Sequence, residues 1–235
     1  MIGIIASRKD LAAKSMEKFF TRHVDWIDED IIHAKGIDAL GYDFVVMASR
    51  HKAKSGKPTL TVHPNGNFGD AEYGGAPKTL QATAPQLMRN IYLELKECGL
   101  DYDVSLEATH HGPTGFETPL VWAEIGSTEE QWADKEAAEF LVRCMEKGIE
   151  RNDTVETVIG FGGGHYAPKF SVMEMDIAFG HMCPKYACDM LDKGLIEQMV
   201  EKSGEVDYAV LDEKGLKGRH KTLIKTVLDD LGVEH

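Results

Sequence analysis

A carboxylate and two adjacent histidines end one of the apolar segments of this chain. The run Ser105–Pro113 carries Glu107, His110 and His111 directly before a Gly-Pro turn. A carboxylate and imidazoles gathered at the end of a strand could bind zinc with an open coordination position, or could act as base and acid on a water molecule. The spacing differs from that of the helical HExxH motif, so that zinc motif is absent. The segment favours hydrolytic chemistry.

A second apolar segment runs into three consecutive glycines and a histidine. Gly162, Gly163 and Gly164 precede His165. Three glycines permit positive φ values and a close approach of backbone to ligand, and their N–H groups could cradle a phosphate or an oxyanion. Because His165 takes the place of the last glycine of GxGxxG, and no Walker GKS or GKT follows, a dinucleotide or nucleoside-triphosphate fingerprint is excluded. We interpret the run as part of a ligand site.

Two further strand ends carry candidate residues. His63 could be a metal ligand, and Asn65 an orienting or substrate-binding amide, although a simple turn explains the Pro-Asn-Gly sequence equally well. His181 follows another short strand and is a weaker candidate. The chain has no GxSxG elbow and no serine or cysteine in a recognisable nucleophile setting, so activation of water, or of a substrate hydroxyl, is favoured over a covalent intermediate.

The elements that must position these residues alternate between strand and helix. Strands that are apolar on both faces, separated by amphipathic helices, indicate a largely parallel sheet covered on both sides. We therefore expect one domain over residues 1–235, a three-layer α/β/α arrangement around a mixed, mostly parallel sheet. Buried strands are predicted at Ile2–Ala6, Phe44–Ala48, Leu60–Val62, Val104–Thr109, Leu120–Ile125, Val155–Phe161, Ile177–Gly180 and Tyr208–Leu211.

Three local predictions follow from the pattern. Alternation along Val104–Thr109, continued to His111, would put Glu107, Thr109 and His111 on one face of the sheet and His110 on the other, whereas a strand that frays after Thr109 would let both histidines turn toward a common point above the sheet edge. A capping box with proline in the first turn predicts a helix start at Thr83, and glycine predicts a helix end at Gly148. The two clusters around Glu107 and His165 are expected to meet around one cleft at one rim of the sheet.

Composition limits the class of protein. With 43% hydrophobic and 28% charged residues, the chain is ordinary for a soluble globular protein, and neither a membrane span nor a targeting signal is predicted, which favours the cytoplasm. The formal net charge of −13 argues against a general nucleic-acid binder. The segment 50–57 nevertheless contains basic residues and no acid. It is either a solvated loop or a source of phosphate contacts.

The segments Leu106–Thr114 and Gly162–Phe170 resemble the archaeal-type D-aminoacyl-tRNA deacylases, and the resemblance extends over the whole chain. It implies hydrolysis of the ester between a D-amino acid and the terminal ribose of tRNA, with zinc as cofactor. It also implies a fold akin to phosphorylase, peptidyl-tRNA hydrolase and zinc carboxypeptidase. The acceptor end of D-aminoacyl-tRNA is the expected partner, and the protein is expected to be a monomer.

Given this resemblance, each candidate residue has an expected role. The catalytic residues are expected to be Glu107, His110 and His165, and the metal ligands His63, His111 and His165. Substrate contacts are expected from Asn65, Gly162, Gly163 and Gly164, and phosphate contacts from Lys52, Lys54, Lys57 and Lys169.

Three other functions remain open on the sequence alone. A zinc amidohydrolase or carboxypeptidase-like enzyme would act on small peptides without RNA. A nucleoside-phosphorylase-like enzyme would hold inorganic phosphate in the glycine run. A non-catalytic module that binds RNA ends would be indifferent to loss of Glu107, His110 or His165.

Overall fold

The computed structural model describes all 235 residues. The strands are β1 Ile2–Ser7, β2 Asp25–Ile27, β3 Phe44–Arg50, β4 Thr59–His63, β5 Gly66–Asn67, β6 Thr79–Leu80, β7 Asp103–Leu106, β8 Leu120–Gly126, β9 Thr157–Phe161, β10 Ala178–Cys183 and β11 Tyr208–Leu211. The α-helices are α1 Leu11–Met16, α2 Pro85–Leu95, α3 Glu129–Trp132, α4 Lys135–Glu150, α5 Pro168–Met173, α6 Lys193–Glu201 and α7 Gly218–Leu231.

The strands form two principal sheets that meet beside β7. The larger sheet has the order β2-β1-β3-β8-β4-β7, and every neighbouring pair is parallel except β4 and β8. The smaller sheet is parallel, with the order β10-β9-β11. The chain after β7 joins them, because the N–H of Thr109 donates to the carbonyl of Met182 at 3.0 Å. The predicted α/β class with a mixed, mostly parallel sheet is confirmed.

The two faces of the larger sheet differ in chemistry. Along β4, Leu60 and Val62 point to one face, where helices α2 and α4 cover the sheet in the largest buried apolar cluster. Thr59, Thr61 and His63 point to the other face. Loops and short 3₁₀ helices cover that second face. The strands therefore direct their buried polar side chains to one side of the sheet.

The predicted end of a helix at Gly148 is wrong, because α4 continues to Glu150. A Cβ at position 148 would lie 2.8 Å from the backbone nitrogen of Ile91, so glycine here permits the close approach of α2 and α4. The capping box at Thr83 is also wrong: α2 begins after Ala84 without a side-chain cap, and the Thr83 hydroxyl instead donates to the Leu120 carbonyl at 3.0 Å.

Strand β7 is shorter than predicted and ends at Leu106. Beyond it, the N–H of Ala108 donates to the carbonyl of His165 at 2.7 Å, and His110 forms an isolated bridge with Asn65. Because the chain leaves the regular pleat, strand alternation does not separate the side chains that follow. The continued strand with His110 on the opposite face from Glu107 is therefore wrong, and the alternative in which the strand frays is the one present, with the two side chains 3.6 Å apart.

No helix of the protein combines the length and the apolar character that crossing a membrane requires. The single-domain organisation and the monomeric state stay predictions.

Candidate active site

A fully buried carboxylate, Glu107, lies at the centre of the polar cluster. Its Oε2 lies 2.8 Å from Nε2 of His165 and 3.6 Å from Nε2 of His110, and its Oε1 lies 3.1 Å from Nδ1 of His51. Neither oxygen has a well-aligned N–H donor, so the acceptor capacity of Glu107 is not used up within the protein. The expected meeting of the Glu107 and His165 segments around one cluster is present.

A second buried carboxylate, Glu124, lies between two histidines that approach it from opposite ends of the neighbouring strands. Glu124 lies within β8, and its Oε2 is 3.4 Å from Nε2 of His63 and 3.7 Å from Nδ1 of His51. His63 ends β4 and His51 follows β3, and these two strands run in opposite directions. The predicted residues His63 and Glu107 follow the same end of the parallel strands β4 and β7, in agreement with a site at one rim. His51, which was not predicted, approaches Glu124 from the other end of the sheet, so the full cluster extends over the polar face.

Three imidazoles share one hydrogen-bonding pattern. The Nδ1 atoms of His63, His110 and His111 lie 3.1, 2.8 and 2.6 Å from the carbonyls of Pro64, Ala108 and Gly112, respectively. A backbone carbonyl at Nδ1 fixes the proton there and leaves Nε2 as the free ligand atom. His111 also holds a left-handed backbone, with φ of 48°, which is uncommon for a residue other than glycine.

Burial and charge set the protonation of the cluster. Burial and the charge of His63 hold the pKa of His110 well below its usual range, and burial lowers the pKa of His111 to about 4. Burial opposes ionisation of Glu107, but the imidazole of His165 and the charge of His63 outweigh it and hold the pKa of Glu107 well below its usual range. Both His110 and His111 are therefore neutral, which is the form that binds a metal.

The two histidines beside Glu124 have raised pKa values, in contrast to His110 and His111. Burial would lower the pKa of His51 and of His63, but the Glu124 carboxylate beside each ring outweighs burial, and both pKa values are raised. The same two imidazoles, against the effect of burial, lower the pKa of Glu124 to about 2. The position between His63 and Glu124 therefore favours a positive charge, which a proton on His63 can supply. A metal cation is the other positive charge that this position could hold.

Three groups of side chains in this cluster could hold a metal ion. Their ligand atoms lie within 4.8 Å of one another in the sets His63–His110–His111, His51–Glu107–His165 and His63–Glu107–Glu124. The three-histidine set fits best, because two of its members are neutral and Nε2 of His63 is buried without a hydrogen-bond partner. Imidazole and carboxylate ligands suit zinc among the common metals.

The cluster forms the floor of a cleft of about 840 Å³. His51, His110, His111, His165 and Glu124 line it. Aromatic and aliphatic side chains form one part of its wall, and carboxylates form part of its rim. The apolar wall includes Phe68, Tyr73, Trp122, Tyr186 and Met190, and the rim includes Asp30, Asp70 and Glu72. The cleft therefore suits an apolar group that carries a positive charge.

The glycine run lies beside the cleft rather than in its wall. Gly162 has φ of 98°, and a Cβ there would lie 2.7 Å from the carbonyl oxygen of Asp212. Its N–H donates to the carbonyl of Cys183 at 2.8 Å, so it is not free to cradle an oxyanion. Gly163 also has a positive φ, of 76°, whereas Gly164 has an ordinary φ and open space beside it. The first two glycines shape the turn that presents His165.

The other predicted residues lie in different surroundings. Lys52 is exposed and lines the cleft, and Lys54 and Lys57 are exposed farther along the same loop. Lys169 is paired with Asp212 at 2.5 Å. Asn65 is fully buried and donates to the carbonyl of Pro113, while its Oδ1 has no partner.

His181 lies within β10 and does not follow a strand as predicted. It is fully buried between the Thr109 hydroxyl at 3.1 Å and the Gln81 carbonyl at 2.9 Å, and burial lowers its pKa to about 3. His181 is therefore a neutral core residue that links β10 to two neighbouring segments.

Sequence reasoning missed four residues of the cluster. Glu124 is a lone carboxylate in an otherwise apolar strand, which is itself a signal because an isolated buried charge is costly. His51 directly follows β3, but it was grouped with the basic loop. Tyr166 and Tyr186 place their hydroxyls 2.9 Å from Nε2 of His51 and 3.1 Å from Nδ1 of His165. No sequence spacing indicated these two contacts.

The fold and the cluster define an α/β protein with combined metal-binding and acid–base potential under a deep cleft. A sequence profile described as D-aminoacyl-tRNA deacylase matches residues 39–235. The chain belongs to the D-aminoacyl-tRNA deacylase family.

Relatives support this assignment over nearly the whole chain. The D-aminoacyl-tRNA deacylase of Methanosarcina acetivorans is 36% identical, over 99% of this chain and 91% of the relative. That of Methanocaldococcus jannaschii is 35% identical, over 98% and 97%. The crystal structure of a conserved protein of unknown function matches the fold with a TM-score of 0.94 at 29% identity, over 100% of this chain and 94% of its own.

Proposed function

We propose that the protein hydrolyses the ester bond of D-aminoacyl-tRNA and releases a free D-amino acid and tRNA. Family membership supports the substrate class, since the relatives from Methanosarcina acetivorans and Methanocaldococcus jannaschii carry that enzyme's name. One observation carries the chemistry. It is the contact of 2.8 Å between Oε2 of the buried Glu107 and Nε2 of His165 on the floor of the cleft.

His165 is the member of this pair that meets the substrate. Its side chain is 31% exposed, whereas Glu107 is fully buried. Water attacks the ester carbonyl carbon, and Nδ1 of His165 exchanges its 3.1 Å contact with the Tyr186 hydroxyl for this water and accepts the proton that the water loses. The ionised Glu107 stabilises the imidazolium. When the bond between the carbonyl carbon and the ribose oxygen breaks, His165 returns the proton to that oxygen.

His63, His110 and His111 would hold the zinc ion. Their Nδ1 contacts with backbone carbonyls, and the neutral state of His110 and His111, support this assignment. Bound there, zinc supplies Lewis-acid polarisation of the ester carbonyl. This division differs from the one expected from the sequence, because His110 moves from catalysis to the metal site, and His165, expected in both roles, keeps only the catalytic one.

The surroundings of the cleft fit the aminoacyl group. Asp30, Asp70 and Glu72 at the rim complement the protonated amino group of the substrate, and the apolar wall complements a side chain. Lys52 and Lys54, on the exposed loop beside the cleft, complement the phosphates of the acceptor end.

The test follows release of D-tyrosine and of L-tyrosine from charged tRNA, with and without a chelator and with zinc added back. We expect faster release of the D-enantiomer, loss of activity with the chelator, and recovery with zinc. Equal rates for both enantiomers would refute chiral selectivity, and chelator insensitivity would refute the role of zinc. Hydrolysis of small peptides in the absence of RNA would favour the amidohydrolase alternative.

A further inference from the structure

A second cavity, of about 690 Å³, lies on the other side of the basic loop 50–57. Arg50, His51 and Lys52 of this loop line the cleft, whereas Ser55 and Lys57 line the second cavity. None of the three candidate metal groups contributes a residue to the second cavity. The loop therefore forms a ridge between two separate concave surfaces.

Tyr166 connects this cavity to the cluster around Glu107. Its ring lines the second cavity, while its hydroxyl lies 2.9 Å from Nε2 of His51. Nδ1 of the same imidazole lies 3.1 Å from Oε1 of Glu107. Tyr166 and His51 therefore link the second cavity to the proposed acid–base pair through two contacts.

The charges of the two cavities are opposite in character. Lys57 and Lys96 line the second cavity, both are exposed, and neither pairs with a carboxylate; Nζ of Lys96 lies 5.9 Å from the centre of the Tyr92 ring. Asp103 is the only carboxylate in that lining. The cleft is lined by five carboxylates, from Asp10, Asp30, Asp70, Glu72 and Glu124. On a protein with net charge −13, two unpaired lysines in a cavity mark a local anion site.

The second cavity also offers aromatic surface. The half-buried rings of Tyr102 and Tyr166 provide surfaces on which a base can stack. Cations and aromatic rings together match a nucleotide.

We propose that the second cavity holds a nucleotide of the single-stranded 3′ end of tRNA, on the 5′ side of the terminal adenosine. The inference rests on the proposed function, which puts the aminoacyl group in the cleft. Lys57 and Lys96 bind the phosphate, and Tyr102 or Tyr166 stacks on the base. The ridge then separates the aminoacylated adenosine from the nucleotide that precedes it.

The test measures binding of a fluorescent RNA oligonucleotide that ends in CCA and carries no amino acid, by anisotropy. The double variant Lys57→Glu/Lys96→Glu is compared with Lys135→Glu/Lys225→Glu, whose lysines line neither cavity and which changes the net charge equally. We expect affinity to fall about tenfold or more in the first variant and less than twofold in the second. An equal loss in both, or no loss in either, would overturn the proposal.

The binding measurement requires no hydrolysis, so the two proposals fail separately. Lysine-dependent RNA binding without release of D-amino acids would leave the nucleotide site standing and refute the proposed reaction. Release of D-amino acids with RNA binding that is indifferent to Lys57 and Lys96 would refute the nucleotide site alone.

Discussion

Nε2 of His165 lies 2.8 Å from Oε2 of Glu107, and this contact joins the segment after β7 to the glycine loop after β9. A backbone hydrogen bond joins the same two segments, because the N–H of Ala108 donates to the carbonyl of His165 at 2.7 Å. The pair is therefore held from two directions. A carboxylate fixed against an imidazole in this way orients the ring and stabilises its charged form.

Tyr186 should act as a positioning residue for His165, since its hydroxyl lies 3.1 Å from Nδ1 of that ring. We expect Tyr186→Phe to lower kcat about threefold to tenfold, the effect of one hydrogen bond, with little change in KM. The control is Tyr208→Phe, which removes a hydroxyl outside both cavities and should change neither constant. A rise in KM with unchanged kcat would show that Tyr186 serves binding and not orientation.

His110 should contribute to zinc binding, because its Nδ1 is tied to the Ala108 carbonyl and its Nε2 is free for a metal. Replacement by alanine removes one of three proposed ligands, and we expect zinc affinity to fall about 100-fold or more. Competition with a chromogenic chelator measures this directly. The exposed His23 supplies the control, His23→Ala. Unchanged zinc affinity in His110→Ala would remove His110 from the metal site.

Glu174 should make the protein less stable as the pH rises. The side chain is fully buried, and burial raises the pKa of its carboxyl well above 4.5, against the hydrogen bond from the Phe179 N–H. The folded state therefore holds this proton more tightly than the unfolded state does. The bound proton stabilises the folded state fully below the pKa that Glu174 has in the unfolded chain. This stabilisation is lost as the pH rises toward the pKa of Glu174 in the folded protein.

Glu174→Gln removes this pH dependence, since the amide is neutral and its oxygen can still accept from Phe179. One pKa unit corresponds to about 1.4 kcal/mol, so at pH 8 we expect the free energy of unfolding to rise by about that amount or more. At pH 4 the variant and the wild type should agree. Urea titrations at both pH values, with the exposed Glu139→Gln as control, measure the difference. An equal effect at both pH values would contradict the explanation.

Gly148 and Gly194 should respond to alanine in opposite directions, although both lie in helices. At position 148 a Cβ would lie 2.8 Å from backbone atoms of Ile91, and we expect Gly148→Ala to destabilise the protein by about 1–3 kcal/mol. At position 194 the nearest atom, from Asp192, is 3.6 Å away, and alanine should stabilise by about 0.5 kcal/mol. Thermal unfolding tests both, and stabilisation by Gly148→Ala would contradict the proposed packing of α2 and α4.

Local pattern predicted the elements of the fold but not their partners. The apolar runs at β3, β8 and β9 were identified from residue type alone, since buried strands and turn residues leave a local signal. The antiparallel pairing of β4 with β8 has no such signal, because it depends on contacts between segments distant in the chain. Gly148 was misinterpreted for the same reason, as its role depends on the neighbouring helix α2.

The candidate site was predictable where its residues ended strands. Glu107, His63 and His165 were selected on that basis, and all lie in the cluster. Glu124 was missed because it lies in the middle of β8, whereas the candidate residues were sought at strand ends. Lys169 was selected for its charge, but pairing with Asp212 occupies it, and sequence spacing does not indicate that contact.

The rate of D-tyrosine release from D-tyrosyl-tRNA by Glu107→Gln, measured in single turnover, tests the central claim most directly. The amide keeps the shape of the side chain but cannot stabilise a protonated His165, so we expect the rate to fall about 10²- to 10⁴-fold. Glu174→Gln, which alters another buried carboxylate outside the cleft, should keep the wild-type rate. A Glu107→Gln rate within about threefold of the wild type would contradict the account.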